Sequence, residues 1–336
     1  MEEGRRGGLA RWLFALLSVA ALAAVVLRFG DFSRFLEMIA RARPLWLLAA
    51  LAFQLATYLA VALGWNEVLR KAGTPQSLRR LMPIALMKLF ADQVLPSAGM
   101  GGNVLLVDRL VALGSPRGAA VAALLVSMVG YYAIYAALAL AMLLVLWLHD
   151  RATPLLAGIV TTFLLVALAI PSLALWLRRR GSRPLPPRIE RLRPVSVLLR
   201  VVGEAPKHLI ADHRLIAKVA ALNGLVFLCD AATLQFCLLS LGQQASYATC
   251  FLALLSASIA TTLVPLPLGL GSFEASSTAM MVLLGLPLAS ALAGTLLLRG
   301  FTLWLPLIPG LYLMRRSIRR GRVAGSVAGS GGLGRS

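Results

Sequence analysis

Apolar and polar stretches alternate along this chain at a spacing that suits a bilayer. Runs of about 20 apolar residues, each long enough as a helix to cross ~30 Å of hydrocarbon, are separated by short polar or basic segments. The pattern predicts spans at 12–29, at 45–69, within 118–148, at 154–177, at 219–241 and at 288–313. Two further apolar stretches are interrupted. Residues 81–95 and 103–113 flank Leu95-Pro96-Ser97-Ala98-Gly99-Met100-Gly101-Gly102-Asn103, and residues 247–286 break at Pro265-Leu-Pro-Leu-Gly-Leu-Gly271. Proline removes a backbone donor and glycine relaxes the steric limits, so each stretch breaks a helix. The arms of the first break are roughly 16–23 Å long at 1.5 Å per residue, too short to cross alone. Both stretches are predicted re-entrant hairpins, because irregular backbone at that depth must be buried in protein or line a wet cavity.

The breaks are related to each other. A shift of 171 residues carries Pro96 onto Pro267, Asn103 onto Glu274, and Val111-Ala-Leu-Gly-Ser-Pro116 onto Val282-Leu-Leu-Gly-Leu-Pro287. The same shift carries 45–69 onto 216–240. Each half reads span, loop, span, hairpin, span, the first starting inward and the second outward. The expected fold is an all-α polytopic membrane protein of six full spans plus two re-entrant hairpins. Its halves, about 12–148 and 154–313, form an inverted-topology repeat whose hairpins enter from opposite faces.

Composition agrees. The 336 residues are 59% hydrophobic and 14% charged, with a mean hydropathy of +0.83, which excludes an ordinary soluble domain. A net charge of +20 invites nucleic acid as a partner, but the cations collect between the apolar runs, as the positive-inside rule requires. On the expected topology 27 of the 33 Lys and Arg are cytoplasmic, five are outside and Arg299 lies within the last span. Both termini are then cytoplasmic: a polar stretch 1–11, and a tail 316–336 that is basic and then Gly/Ser-rich and expected to be disordered. A signal peptide at the basic, Ala-rich start is disfavoured, because that run has a repeat partner. The segment 178–218 holds eleven Lys/Arg against three acids and reads as a cytoplasmic loop near anionic headgroups. Cys229, Cys237 and Cys250 lie in or beside apolar segments and read as buried thiols; His208 and His213, five apart, do not share a helix face.

Ionisable residues inside a bilayer are expensive and default to functional candidates. Lys88 and Asp92 stand four apart in the first hairpin, where they serve a site or simply neutralise each other. Asp108 and Arg109 serve a site or reach the solvated interface. Asp230 falls near the middle of its span. Glu274 and Arg299 are the sharper pair. Ser272 would cap the half-helix that follows the second break, with Glu274 in its first turn, where the dipole favours an anion. Asn103 occupies the matching turn beside Gly101 and Gly102, as Glu274 does beside Gly271. Two helix N-termini aimed at one cavity attract phosphate or carboxylate, and Arg299 offers a bidentate donor. The alternative is a structural Glu274–Arg299 ion pair. Zinc-protease, Walker and nucleophile-elbow motifs are missing, and Gly99-x-Gly101-Gly102 lacks the third glycine of a dinucleotide fingerprint, so no cofactor or metal is expected.

At these residues the chain resembles the flippase-like transmembrane region of lysylphosphatidylglycerol synthases, the membrane half of the bacterial multiple peptide resistance factor. The matching stretches are Leu95-Pro96 with Gly99-x-Gly101-Gly102-Asn103, and Pro267-x-Gly269-x-Gly271-Ser272-Phe273-Glu274-Ala275. Leu283-Leu-Gly-Leu-Pro287 and Leu298-Arg299 leading to Pro306 continue the match, which covers about residues 10–315. Family members often carry an acid where Asn103 stands and a Glu-Arg pair in the next span. Here that span reads Val126-Ser-Met-Val-Gly-Tyr-Tyr132, without charge. The resemblance implies a flippase-like domain over 12–315 in a bacterial inner membrane, moving an anionic phospholipid or lipid-linked glycan. The family's full-length synthases add a soluble aminoacyl-transferase domain, and the Gly/Ser tail leads to the expectation that this polypeptide transfers no lysine. A separately encoded synthase or glycosyltransferase, and a homo-oligomer, are the expected protein partners. Two rivals stand beside translocation. One is an integral lipid-modifying transferase with Asp230 or Glu274 as base. The other is a membrane scaffold that docks a synthase on the loop 178–218.

Overall fold

The computed structural model describes residues 42–94, 100–148, 154–180, 203–264 and 269–313, and every element in them is helical. The first predicted span, the tip of the first break, Pro265–Leu268 of the second, most of the basic loop and the tail lie outside the described residues. The helices are α1 (Pro44–Lys71), α2 (Leu78–Val94), α3 (Met100–Ala112), α4 (Arg117–Leu148) and α5 (Pro154–Arg180). There follow α6 (Lys207–Ile210), α7 (His213–Ser240), α8 (Tyr247–Leu263), α9 (Ser272–Leu283) and α10 (Leu288–Arg299). The last helix passes through one π-helical turn, Gly300–Trp304, and continues to Leu313. Among the described residues four helices are long and apolar enough to cross a membrane: α1, α4, α7 and the continuous Leu288–Leu313. The arms α2 and α3 have 17 and 13 residues, about 26 and 20 Å at 1.5 Å each, and so fall short of a bilayer.

Three successive helices in the second half match three in the first in length. Helices α1 and α7 both have 28 residues, α2 and α8 both have 17, and α3 and α9 have 13 and 12. Equivalent helices also end alike. Gly73 at φ 78° follows α1 and Gly242 at φ 76° follows α7, each in the left-handed region that closes a helix C-terminus. Thr74 N–H returns to the Leu69 carbonyl at 2.9 Å, and Gln243 N–H returns to Leu238 at the same distance. Gly114 (φ 91°) and Gly285 (φ 99°) do likewise after α3 and α9. The register is not one constant shift, however. Gly73 to Gly242 is 169 residues and Gly114 to Gly285 is 171, so the second half gains two residues between α8 and α9, in the hairpin tip.

The equivalent helices α1 and α7 pack along each other more extensively than any other pair, and they run antiparallel. Arg43 N–H donates to the Ser240 carbonyl at 2.9 Å, Thr233 Oγ1 to Ala50 at 3.5 Å, and Lys71 pairs with Asp212 at the far end. A shift of 169 converts the first of these contacts into the last, with Arg43 on Asp212 and Lys71 on Ser240. The register of this pair is therefore symmetric about the level of Thr57 and Val226. Aromatic stacking of Trp46 and Phe53 on Phe236 fills one end, with centroids 5.6 and 5.3 Å apart. Small residues bring backbones together elsewhere, which is how helices associate where no water drives them. A Cβ on Gly130 of α4 would lie 3.0 Å from the Ala220 nitrogen of α7.

The two hairpins sit at opposite ends of this bundle. Helices α2 and α3 share a core with Trp65–Leu69 of α1, Ala119–Val126 of α4, and Leu215 and Val219 of α7. Helices α8 and α9 share another with Tyr135, Met142 and Leu146 of α4, with Val160 and Phe163 of α5, and with Phe227–Leu238 of α7. The first end is basic, with Arg70, Lys71, Arg79, Arg80, Arg117, Arg214 and Lys218, whereas the loop Gly242–Ser246 at the other carries no charge. One boundary departs from the sequence expectation. The fifth span starts at His213 rather than 219, because Asp212 Oδ1 caps α7, accepting from the Arg214 and Leu215 amides at 2.9 and 3.1 Å. Part of the basic loop is therefore the first turns of a helix.

Candidate functional site

The second hairpin closes on the last helix through one buried ion pair. Arg299 ends α10 and Glu274 stands in the first turn of α9, and their side chains meet with Arg299 Nε 2.7 Å from Glu274 Oε1. Glu274 is 1% exposed and Arg299 8%. The other carboxylate oxygen, Oε2, accepts the Gly271 amide at 2.7 Å. A carboxylate thus fills the anion seat at a helix N-terminus while it neutralises a guanidinium. The Arg299 guanidinium carbon lies 4.9 Å from the centre of the Phe273 ring, and Thr295 and Ser277 join α10 to α9 at 3.0 Å.

Glycine makes the geometry. Gly271, at φ 86°, is the N-cap of α9, so the expectation that Ser272 caps this helix is corrected. A left-handed residue is needed to turn the incoming chain, and only glycine adopts it without strain. Ser272 is instead the first helical residue, and its hydroxyl lies 3.3 Å from the Gly269 carbonyl. Gly269, at φ 63°, has a second reason to be glycine: a Cβ there would sit 2.6 Å from Thr261 Cγ2 and 4.0 Å from Arg299 Nη2. The hairpin turn, the cation and the first arm are packed into one another. Directly after Arg299 the helix widens into the π-turn, a feature that recurs at functional sites, and the Thr302 hydroxyl buried within it has no hydrogen-bond partner among the described residues.

The other candidates fall elsewhere. Lys88 and Asp92 pair at 2.6 Å in the first hairpin, each about a quarter exposed. Gly102 faces them so closely that a Cβ would come within 2.1 Å of Asp92 Oδ1 and 2.9 Å of the Lys88 carbonyl. Gly101 and half-buried Asn103 share the first turn of α3 with Gly102. Helices α3 and α9 belong to different cores, so the structure unites Glu274 with Arg299 and keeps Asn103 in the other hairpin. Asp108 is exposed, and Arg109 is partly buried with an unpartnered Nε. Asp230 lies between α7 and α1, facing Gln54. The sequence did not single out Gln54, Tyr58, Thr261 or Thr302. Gln54 alone carried a signal, as an amide in the middle of an apolar run. The thiols of Cys229, Cys237 and Cys250 are free and buried.

The family described as the lysylphosphatidylglycerol synthase transmembrane region matches residues 12–310, nearly the whole chain, and the chain belongs to it. No curated protein matches it.

Proposed function

We propose that this member of the lysylphosphatidylglycerol synthase transmembrane family moves an anionic phospholipid, or a lipid-linked glycan, between the leaflets of a bacterial inner membrane. The observation that carries the proposal is the Arg299–Glu274 pair, buried at the turn of an interrupted helix. Glu274 occupies the seat that a headgroup phosphate would take, at a helix N-terminus and against a guanidinium. In the resting state it is an internal stand-in for the substrate's charge. A phosphate that displaces it from Arg299 finds a cation already desolvated and held in place, and release of the phosphate restores the pair. The acyl chains remain in lipid.

The antiparallel packing of equivalent helices α1 and α7, with a hairpin at each end, supports an inverted-topology repeat in which one half rocks against the other. The basic end carrying the first hairpin is then cytoplasmic. Purified protein reconstituted with fluorescent phosphatidylglycerol tests the proposal. Transfer across the bilayer faster than in protein-free vesicles, abolished by Arg299→Met, is expected. Equal rates with and without protein, for phosphatidylglycerol and for a lipid-linked sugar, would overturn it. The transferase rival predicts a new lipid species in the same vesicles, and the scaffold rival predicts activity lost on charge reversal in 178–218 but not in Arg299→Met.

A further inference from the structure

The bundle contains a second polar cluster that the headgroup reading does not use. It lies between α1 and α7, near the point about which these helices are symmetric. Asp230 is four residues past Val226, about 6 Å along the axis from the centre of the pair. Across the interface it meets Gln54 and Tyr58, which are 3% and 4% exposed. Gln54 Nε2 donates to Thr57 Oγ1 at 3.1 Å, and Thr57 Oγ1 donates to the Gln54 carbonyl at 2.7 Å. Three oxygens are left over: Gln54 Oε1, the Tyr58 hydroxyl and Asp230 Oδ1 are all buried, and none completes a well-formed hydrogen bond. Three such atoms lie together at this one interface, each with hydrogen-bonding capacity to spare.

We propose that Asp230 is a proton-binding site that couples lipid movement to the transmembrane proton gradient. The ligand fits the groups present. Three side-chain oxygens, two of them neutral, fall short of the six or more that a hard metal cation gathers, whereas a proton needs one. Glutamine is the partner that serves both charge states. Ionised Asp230 accepts from the Gln54 amide N–H and the Tyr58 hydroxyl; protonated Asp230 donates its O–H to Gln54 Oε1, the acceptor that now stands empty. Only the O–H bond forms and breaks, with the proton taken from water on one side and returned to water on the other.

The remaining neighbours leave the charge of Asp230 uncompensated. The titratable groups facing it are Tyr58 on α1, Tyr131 on α4 and the adjacent Cys229. On α8, Tyr247 faces Cys229 and Cys250 faces Cys237, and on α10 Arg299 is turned to Glu274. No Lys or Arg pairs with Asp230 among the described residues. The proton is therefore the cation that can neutralise it. The Gln54–Asp230 contact also joins one half of the molecule to the other, so a change in who donates across it acts on the interface that the proposed rocking must open.

The coupling rests on translocation as proposed above, and two measurements keep the two ideas apart. The first needs no transport. Infrared difference spectra of the full chain in vesicles, between acid and alkaline buffer, should contain a protonated-carboxyl band that is absent in Asp230→Asn and restored in Asp230→Glu. The second imposes a pH gradient on vesicles holding fluorescent phosphatidylglycerol and reads the leaflet ratio with an impermeant quencher. One proton per lipid displaces that ratio by up to about tenfold per pH unit. Asp230→Asn should still equilibrate the lipid but ignore the gradient. The same gradient response in wild type and Asp230→Asn, a dependence on sodium instead of pH, or an unchanged carboxyl band in the variant would each overturn the proposal. If no lipid moves in any protein but the Asp230 band is present, the translocation reading fails and the proton site stands.

Discussion

The buried pair supports a prediction that separates a recognition site from a brace. Glu274 and Arg299 side chains are 2% and 9% exposed, so neither charge is solvated once its partner is gone. Removing one member of a buried pair costs about 3–5 kcal/mol, because the other charge is left desolvated and uncompensated. Glu274→Gln and Arg299→Met should each cost on that order. Their sum would be about 6–10 kcal/mol, but the double variant leaves no orphan charge and should cost no more than either single. Denaturation of the purified protein in mixed micelles measures the cycle. Singles that simply add would refute the claim that the two charges depend on each other. Lipid binding then distinguishes the roles. If Glu274 is a stand-in for phosphate, Glu274→Gln should bind anionic lipid more tightly than wild type and release it more slowly, while Arg299→Met and the double variant should not bind it. Equal binding losses in both singles, with recovery in the double, would mean the pair is only structural.

Two further substitutions test how the frame is built. Gly269→Ala should cost about 2–4 kcal/mol in the same denaturation assay, from a left-handed backbone and the clash with Thr261 Cγ2 at 2.6 Å. Adding Thr261→Ser, which deletes that methyl, should recover the clash part, and no recovery would show that the strain lies elsewhere. Asp212→Ala removes both the α7 cap and the Lys71 partner and should cost about 1–2 kcal/mol, whereas Asp212→Asn keeps a cap and should cost less. Equal losses in the two variants would show that the cap contributes nothing.

The spans and hairpin arms were legible because a bilayer imposes length and apolarity. The predicted 45–69, 118–148 and 288–313 fall on Pro44–Lys71, Arg117–Leu148 and Leu288–Leu313 within a few residues. The breaks were legible because Pro and Gly punctuate helices whatever surrounds them. The cap at Gly271 was not. In Gly271-Ser272 either residue suits an N-cap, and the choice depends on a backbone angle that the arm Tyr247–Leu263 helps impose. The register was legible only after the break: apolar residues interchange freely in a membrane helix, and the glycines at 73 and 242 alone mark the shift of 169. The pair Glu274–Arg299 was named as an alternative, since two opposite charges in lipid must find partners. Gln54 was missed because its partner, Asp230, comes from the other half of the chain. A π-turn at 300–304 has no sequence period of its own.

Unequal charge on a repeated frame leads to the last prediction. With the 171-residue register that holds after the break, Glu274 and Arg299 fall on Asn103 and Met128, so helix lengths match between the halves but the ion pair does not. Met128 packs against the first core, partly buried, whereas Arg299 in the second half is buried. If the halves are equivalent in geometry as they are in helix length, Met128→Arg alone buries an unpaired charge and should cost several kcal/mol, and Asn103→Glu alone should cost less because half-buried Asn103 keeps some solvent. Made together, the two should form a second pair across α3 and α4 and be milder than Met128→Arg by about 2 kcal/mol or more. Folded yield and denaturation midpoints of the three variants decide it. A double variant worse than Met128→Arg would mean that the correspondence ends at the backbone and that the first hairpin was never shaped to hold a charge.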